Sequence, residues 1–327
     1  MTKALNHQRQ TRSAWIMLSP ALILMMVILI LPIMIAFGLS FTNYGLGVKS
    51  VDFVGLENYE RIFTRSTFKK MFTATVLYVI VVVPFSVGLG LGAALLIQSV
   101  QRGREFYKTI YFLPVMASLL AMAIVWEFML HPTIGVLNET LQGGCDSTVI
   151  HGLLTGSWYG ADPLTSWYGD KCANGFPLWL GDRDYALWTI CFIGIWQSFG
   201  FNMVLYLAGL TSVPKDLYHA AEMDGASSAW ERFRLITWPM LGPTTVFVVT
   251  ITVIRSFQVF DTVEAIFPDS GGPGKTAYVM MFAIYEKGIK QNLLGTGAAI
   301  TVIFLMFVIA VTLIQRWFID RTTHYAW

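Results

Sequence analysis

AWIMLSPALILMMVILILPIMIAFGLSF, residues Ala14–Phe41, carries no charged side chain anywhere along its length. A helix needs roughly 20 such residues to cross about 30 Å of hydrocarbon. A backbone in lipid must satisfy its own hydrogen bonds, so a run of this kind becomes a helix. Lys3, Arg9 and Arg12 precede it, as a basic flank precedes a secretory leader. The run is too long for a leader's apolar segment and ends without a small-x-small cleavage site, so a retained span is expected.

Five more runs of the same kind follow: Met71–Gln98, Phe106–Leu130, Tyr185–Leu210, Thr244–Glu264 and Leu293–Phe318. The expected fold is all-α and integral to the membrane: one domain over residues 1–327 with six transmembrane helices and a cytoplasmic helical hairpin. Composition agrees. Apolar residues make up 55% and charged residues 13%, against about 25% charged in soluble domains. A net charge of +2 gives no reason to expect nucleic acid as a partner, whereas membrane lipid surrounds the chain by necessity. Pro32, Pro84, Pro114 and Gly88, Gly90, Gly92 fall inside spans, where they permit kinks and close helix contact.

Six spans place both termini on one side. With the termini inside, the inner segments are about half as long in total as the outer ones and hold as many Lys and Arg. That density favours cytoplasmic termini. Residues 131–184 then form a long external loop and 211–242 an internal one. Cys145 and Cys172 lie in the external loop, where an oxidising compartment permits a disulfide; their spacing equally permits two unpaired thiols. Cys191 falls in a span and reads as an inert core residue. The loop repeats SWYG at Ser157–Gly160 and Ser166–Gly169, aromatics suited to packing at a surface or stacking on sugar rings. Before the second span, GLENYERIF reads as a short amphipathic helix at the interface.

The internal segment TSVPKDLYHAAEMDGASSAWERFRLITWPMLG, Thr211–Gly242, is more detailed than a connection needs. Lys215–Met223 is built of good helix formers, with Leu217, Ala220 and Ala221 on a small apolar face. Asp224-Gly225 marks a turn. Ala226–Thr237 then resumes with Trp230, Phe233 and Ile236 at helical spacing. Such a hairpin is suited to docking in a cleft.

YHAAEMDGASSAWERFRLITWPML resembles the EAA signature of permease subunits of bacterial ATP-binding-cassette importers, matching at Ala220, Ala221, Asp224, Gly225, Ala226, Phe233, Ile236, Pro239 and Leu241. His219 stands where the family has glutamate, which puts that residue's salt bridge in question; Glu222, one turn on, is the substitute to consider. Trp238 stands where leucine is usual. The resemblance extends over nearly the whole chain, through GLENYERIF, FYKTIYFLPVMAS, IRSFQVFD and GGPGKTAY, to the carbohydrate-uptake, maltose-type subset. It weakens at residues 144–177, which look like an insertion.

The resemblance implies a coupling helix carrying His219, Ala220, Ala221, Glu222, Asp224, Gly225 and Ala226, received by a groove on an ATPase subunit. It implies a second permease subunit, two ATP-binding-cassette ATPases that hold the ATP and magnesium, an extracytoplasmic solute-binding protein, and the bacterial inner membrane. No cofactor is expected in this chain. The solute implied is a sugar or polyol.

Polar side chains inside spans are costly and mark pathways. The fifth span holds Arg255, Gln258, Asp261 and Glu264; the spacing of three places the last three on one helix face. Gln258 and Asp261 match positions that help line the sugar site in maltose-type permeases, with Phe257 and Phe260 as nearby aromatics. In the fourth span Trp196, Ser198, Phe201 and Asn202 are candidates by the same resemblance. The competing reading is that these groups join helices by hydrogen bonds. Arg255 is expected to be a structural ion-pair partner.

SGGPGKT at Ser270–Thr276 is not a phosphate-binding loop, because Asp269 occupies the place of its first glycine. His7, His131, His151, His219 and His324 have no metal-ligand spacing, and no metal site is expected. Two other classes compete with the importer. A secondary transporter would couple ions through Asp261 and Glu264, and that class often carries internal repeats, which this sequence lacks. An integral-membrane enzyme would need a catalytic cluster near the interface, and none is visible.

Overall fold

The computed structural model describes residues 2–47, 51–100, 102–146, 171–172, 175–226 and 228–322. The SWYG repeats and most of the 144–177 insertion lie outside these residues. Among the described residues the elements are helical, apart from one bridge between Thr42 and Phe53. Five helical segments are long and apolar enough to cross a membrane: Ala14–Leu39, Ser66–Ser99, Arg183–Thr211, Gly242–Ile266 and Leu294–Gln315. A sixth results if the bent pair Arg104–Met116 and Leu120–Met129 is counted as one span.

The chain divides into two compact units, Met1–Ser66 with Ala283–Phe307, and Thr67–Phe282 with Val308–Trp327. In the first, helix α1 (Thr2–Met25) passes through a π turn at Met26–Ile30 into α2 (Leu31–Leu39). The most apolar window of Ala14–Leu39 buries nothing against the rest of the chain. A helix apolar all round that its own chain leaves uncovered suits a bilayer. The amphipathic α3 (Glu57–Thr64) follows. Its Asn58 is buried and donates to the carbonyls of Ser40 (2.9 Å) and Thr42 (2.8 Å), while Thr296 donates to its side-chain oxygen at 3.3 Å. Leu56 and Phe63 remain exposed, as an interfacial helix leaves its lipid-facing side.

The second unit holds most of α4 (Ser66–Ser99), α5 (Arg104–Met116), α6 (Leu119–Met129), α7 (Val136–Asp146), α8 (Arg183–Thr211), the internal hairpin, α11 (Gly242–Phe257) and α12 (Asp261–Ile266). Helix α8 packs on α5 and α11, and α12 packs on α6. Ala94, Ile97, Met203, Tyr206, Leu207, Leu210, Leu241 and Val248 form a buried cluster. Gly90 of α4 lets the α8 backbone approach: a Cβ there would lie 2.7 Å from that of Asn202. Helix α14 (Leu294–Thr322) ends the described chain, after α13 (Met280–Tyr285).

Two expected spans are broken. Residues Phe106–Leu130 do not make one straight helix, since the axes of α5 and α6 differ by 100°. Ala117 and Ser118 are extended (ψ 144° and 129°), and serine at a helix start favours such a cap position. The fifth span is interrupted at Gln258–Phe260. Gln258 caps α11 and Asp261 opens α12, so Gln258, Asp261 and Glu264 do not share one helix face. SGGPGKT is a turn, with a short 3₁₀ segment at Pro273–Lys275.

The long loop between Leu130 and Tyr185 is tied where it is described. Cys145 and Cys172 form a disulfide with their Cα atoms 5.7 Å apart, and Trp179 donates its indole N–H to Asn138 at 2.6 Å. Cys191 is free and buried.

Candidate functional site

The internal segment folds as a clip. Its first arm, α9 (Lys215–Met223), starts after Pro214 and ends at Asp224. Gly225 then takes φ +94°, a conformation that costs an L residue about 1–2 kcal/mol. The N–H groups of Asp224, Gly225 and Ala226 return to the carbonyls of Ala220 (3.0 Å), Glu222 (3.2 Å) and Ala221 (2.9 Å). These bonds satisfy carbonyls that the helix end leaves open. The second arm, α10 (Ala229–Arg232), starts later than the periodicity suggests, at a capping box. Ser228 Oγ accepts from the Trp230 N–H, and the Glu231 carboxylate accepts from the Ser228 N–H at 3.1 Å. A π turn at Phe233–Thr237 and a turn of helix at Trp238–Met240 lead into α11.

Two contacts close the clip. Glu222 pairs with Arg232 across the arms, and the Tyr218 and Thr237 hydroxyls meet at 2.9 Å. Glu222, the substitute to consider for the family glutamate, thus has a partner inside the hairpin and keeps an exposed side. His219 lies 3.9 Å from Glu222 and is 76% exposed. Ala226 and Ile236 are buried, while Leu217, Met223, Trp230, Leu235 and Trp238 are exposed. So many large apolar side chains on one short segment mark a surface for another protein or for lipid.

The polar residues of the spans separate into two sets. Gln197, Ser198, Arg255, Gln258 and Asp261 line one cavity of about 250 Å³, with Tyr78 and Val115 also in its wall. Among the expected pathway residues, Ser198, Gln258 and Asp261 thus come together. Asn202 does not join them. It is buried, donates to Ser86 at 3.3 Å and accepts from Thr252 at 2.9 Å, bonds that join α4, α8 and α11 and contribute about 0.6 to 1.7 kcal/mol each. Trp196 packs edge-on against Trp126, and Phe257 is buried in the core. Arg255, expected in an ion pair, instead lies over the Phe201 ring, 3.9 Å from its centroid. Sequence spacing gave no sign of that contact, which joins two helices.

Together these features define a multi-pass membrane protein with a polar cavity among its spans and a hydrogen-bonded helical clip between two of them. Residues 86–324 match the family described as the inner membrane component of binding-protein-dependent transport systems, and the chain belongs to that family. The sn-glycerol-3-phosphate transport system permease UgpA of Agrobacterium fabrum is 29% identical, over 84% of each chain. The arabinooligosaccharide transport system permease AraP of Halalkalibacterium halodurans is 30% identical, over 92% of this chain and 85% of that one. In fold, the chain superposes with a TM-score of 0.76 on a bacterial alginate ABC transporter solved in complex with an alginate pentasaccharide-bound periplasmic protein. The identity there is 22%, with 97% of each chain covered.

Proposed function

We propose that this chain is one of two permease subunits of an ATP-driven importer that carries a sugar or polyol inward from an external binding protein. Two ATPase subunits, which hold the ATP and magnesium, grip the Lys215–Met240 clip and switch the bundle between outward and inward access. The termini and the clip face the cytoplasm, and the disulfide-tied loop faces outward. The solute passes the cavity at Ser198, Gln258 and Asp261. Relatives named for an oligosaccharide and for a glycerol phosphate support a hydroxyl-rich solute.

The observation that carries this reading is the clip itself. A loop that only connects two spans does not need a capped turn, a cross-arm ion pair and an exposed apolar surface. Purification of the tagged chain in mild detergent, from cells that express its operon, tests it. An ATPase subunit is expected to co-purify with the native chain and to be lost with Gly225→Pro, provided the variant still inserts. A chain that never retains an ATPase would overturn the reading.

A further inference from the structure

The cavity holds two opposite charges that do not meet. The Arg255 guanidinium rests over Phe201, and Asp261 opens α12 in the same wall. Among the described residues neither is held in an ion pair. Arg255 stands about 13 residues into α11, roughly 20 Å along the helix from Gly242. That is well inside an apolar layer of about 30 Å. A charge at such a depth, facing a cavity, marks a pathway rather than a surface. The ring beneath the guanidinium holds its plane without neutralising it.

The chemistry of the pair is complementary. Arginine only donates hydrogen bonds and a carboxylate only accepts them, whereas a hydroxyl does both. A polyhydroxylic solute can span the two and satisfy each. An anion gains at Arg255 what it loses at Asp261, and a cation the reverse. The remaining polar lining, Tyr78, Gln197, Ser198, Ser256, Gln258 and Thr262, carries no formal charge.

We infer that Arg255 and Asp261 form a charge-balanced clamp that admits uncharged polyhydroxylic solutes and disfavours ionised ones, with Arg255 as a specificity-determining residue. This rests on the proposal that the cavity is the solute's path.

A cysteine reporter in the cavity reads the balance directly. In the purified complex carrying Cys191→Ala and Ser198→Cys, modification rates are measured with an anionic and a cationic methanethiosulfonate. Their ratio is expected to match that of a free thiol. Asp261→Asn is expected to raise the anion-to-cation ratio at least about tenfold, and Arg255→Gln to lower it as much, the scale of one unit charge a few ångströms away. A neutral panel of maltotriose, sucrose and sorbitol is expected to include a member that slows modification, while trigalacturonate and triglucosamine do not. Ratios that ignore both substitutions, with a neutral sugar still protecting, would overturn the clamp alone. Ratios that shift as expected with no sugar protecting would overturn the path and the selectivity with it.

Discussion

Alanine at Gly90 is the sharpest test of how α4 and α8 fit. The new Cβ would sit 2.7 Å from the Asn202 Cβ and 3.0 Å from the Met203 backbone nitrogen, against the 3.5–4.0 Å that carbon contacts prefer. Backbone cannot rotate away as a side-chain tip can, so α8 must shift and strain the Asn202 bonds to Ser86 and Thr252. Overpacking of this kind costs about 1–3 kcal/mol, offset by the roughly 0.5–1 kcal/mol that alanine gains over glycine within a helix. Gly88 and Gly92, two residues away on either side, have nothing within 4 Å of a built Cβ, so alanine there keeps the gain without the clash. Cys191 is the one free cysteine beside the disulfide pair and is buried. A thiol-reactive fluorogenic dye in detergent therefore reports unfolding through it. The two neighbours should melt at or above the native chain and, at roughly 2–4 °C per kcal/mol, Gly90→Ala about 2–12 °C below those neighbours, the scale of the clash alone. Three alanine variants that melt together would refute the packing argument.

Three further outcomes follow from the same geometry. At Gly225 no neighbour lies within 4 Å, so only backbone strain acts. Retention of the ATPase should fall in the order Asn, Ala, Pro, because asparagine tolerates positive φ best and proline also loses the N–H bonded to Glu222. Glu222→Gln and Arg232→Gln should each cost under about 1 kcal/mol of stability, since the pair is half-exposed and solvent screens it. Both should weaken ATPase co-purification, and the double variant should be no worse than either single one, as expected of a shared contact. A membrane-impermeant maleimide–polyethylene glycol applied from outside should label neither Cys145 nor Cys172 until a reductant opens the bond, and then both. Labelling before reduction would contradict the tied loop.

The apolar runs made most of the spans legible, because length and hydropathy are local properties. The Asp224-Gly225 turn was legible for the same reason. The breaks were not. At Gln258–Phe260 no glycine or proline announces the interruption, and near Ala117–Ser118 Pro114 permits a kink without fixing where the helix stops; α6 and α12, which follow the two breaks, pack on each other. Periodicity placed Gln258, Asp261 and Glu264 on one face only by assuming a continuous helix. Contacts between elements were equally hidden: the Glu222–Arg232 clasp spans ten positions, and the Arg255–Phe201 stack joins two helices. Asn202 shows the converse. A polar residue in a span looked like pathway, and its bonds to Ser86 and Thr252 show it to be interhelical glue. The cysteine spacing left pairing open, and only the fold brings Cys145 and Cys172 together.

In the proposed importer, another chain's ATP hydrolysis drives this one through the clip. Uptake of radiolabelled sugars into proteoliposomes that hold the purified complex, its binding protein and internal ATP tests it most directly. Uptake is expected to require ATP and to be abolished by Gly225→Pro in a complex that still inserts. Uptake by the lone chain without ATP, driven by an ion gradient and lost with Asp261→Asn, would contradict it.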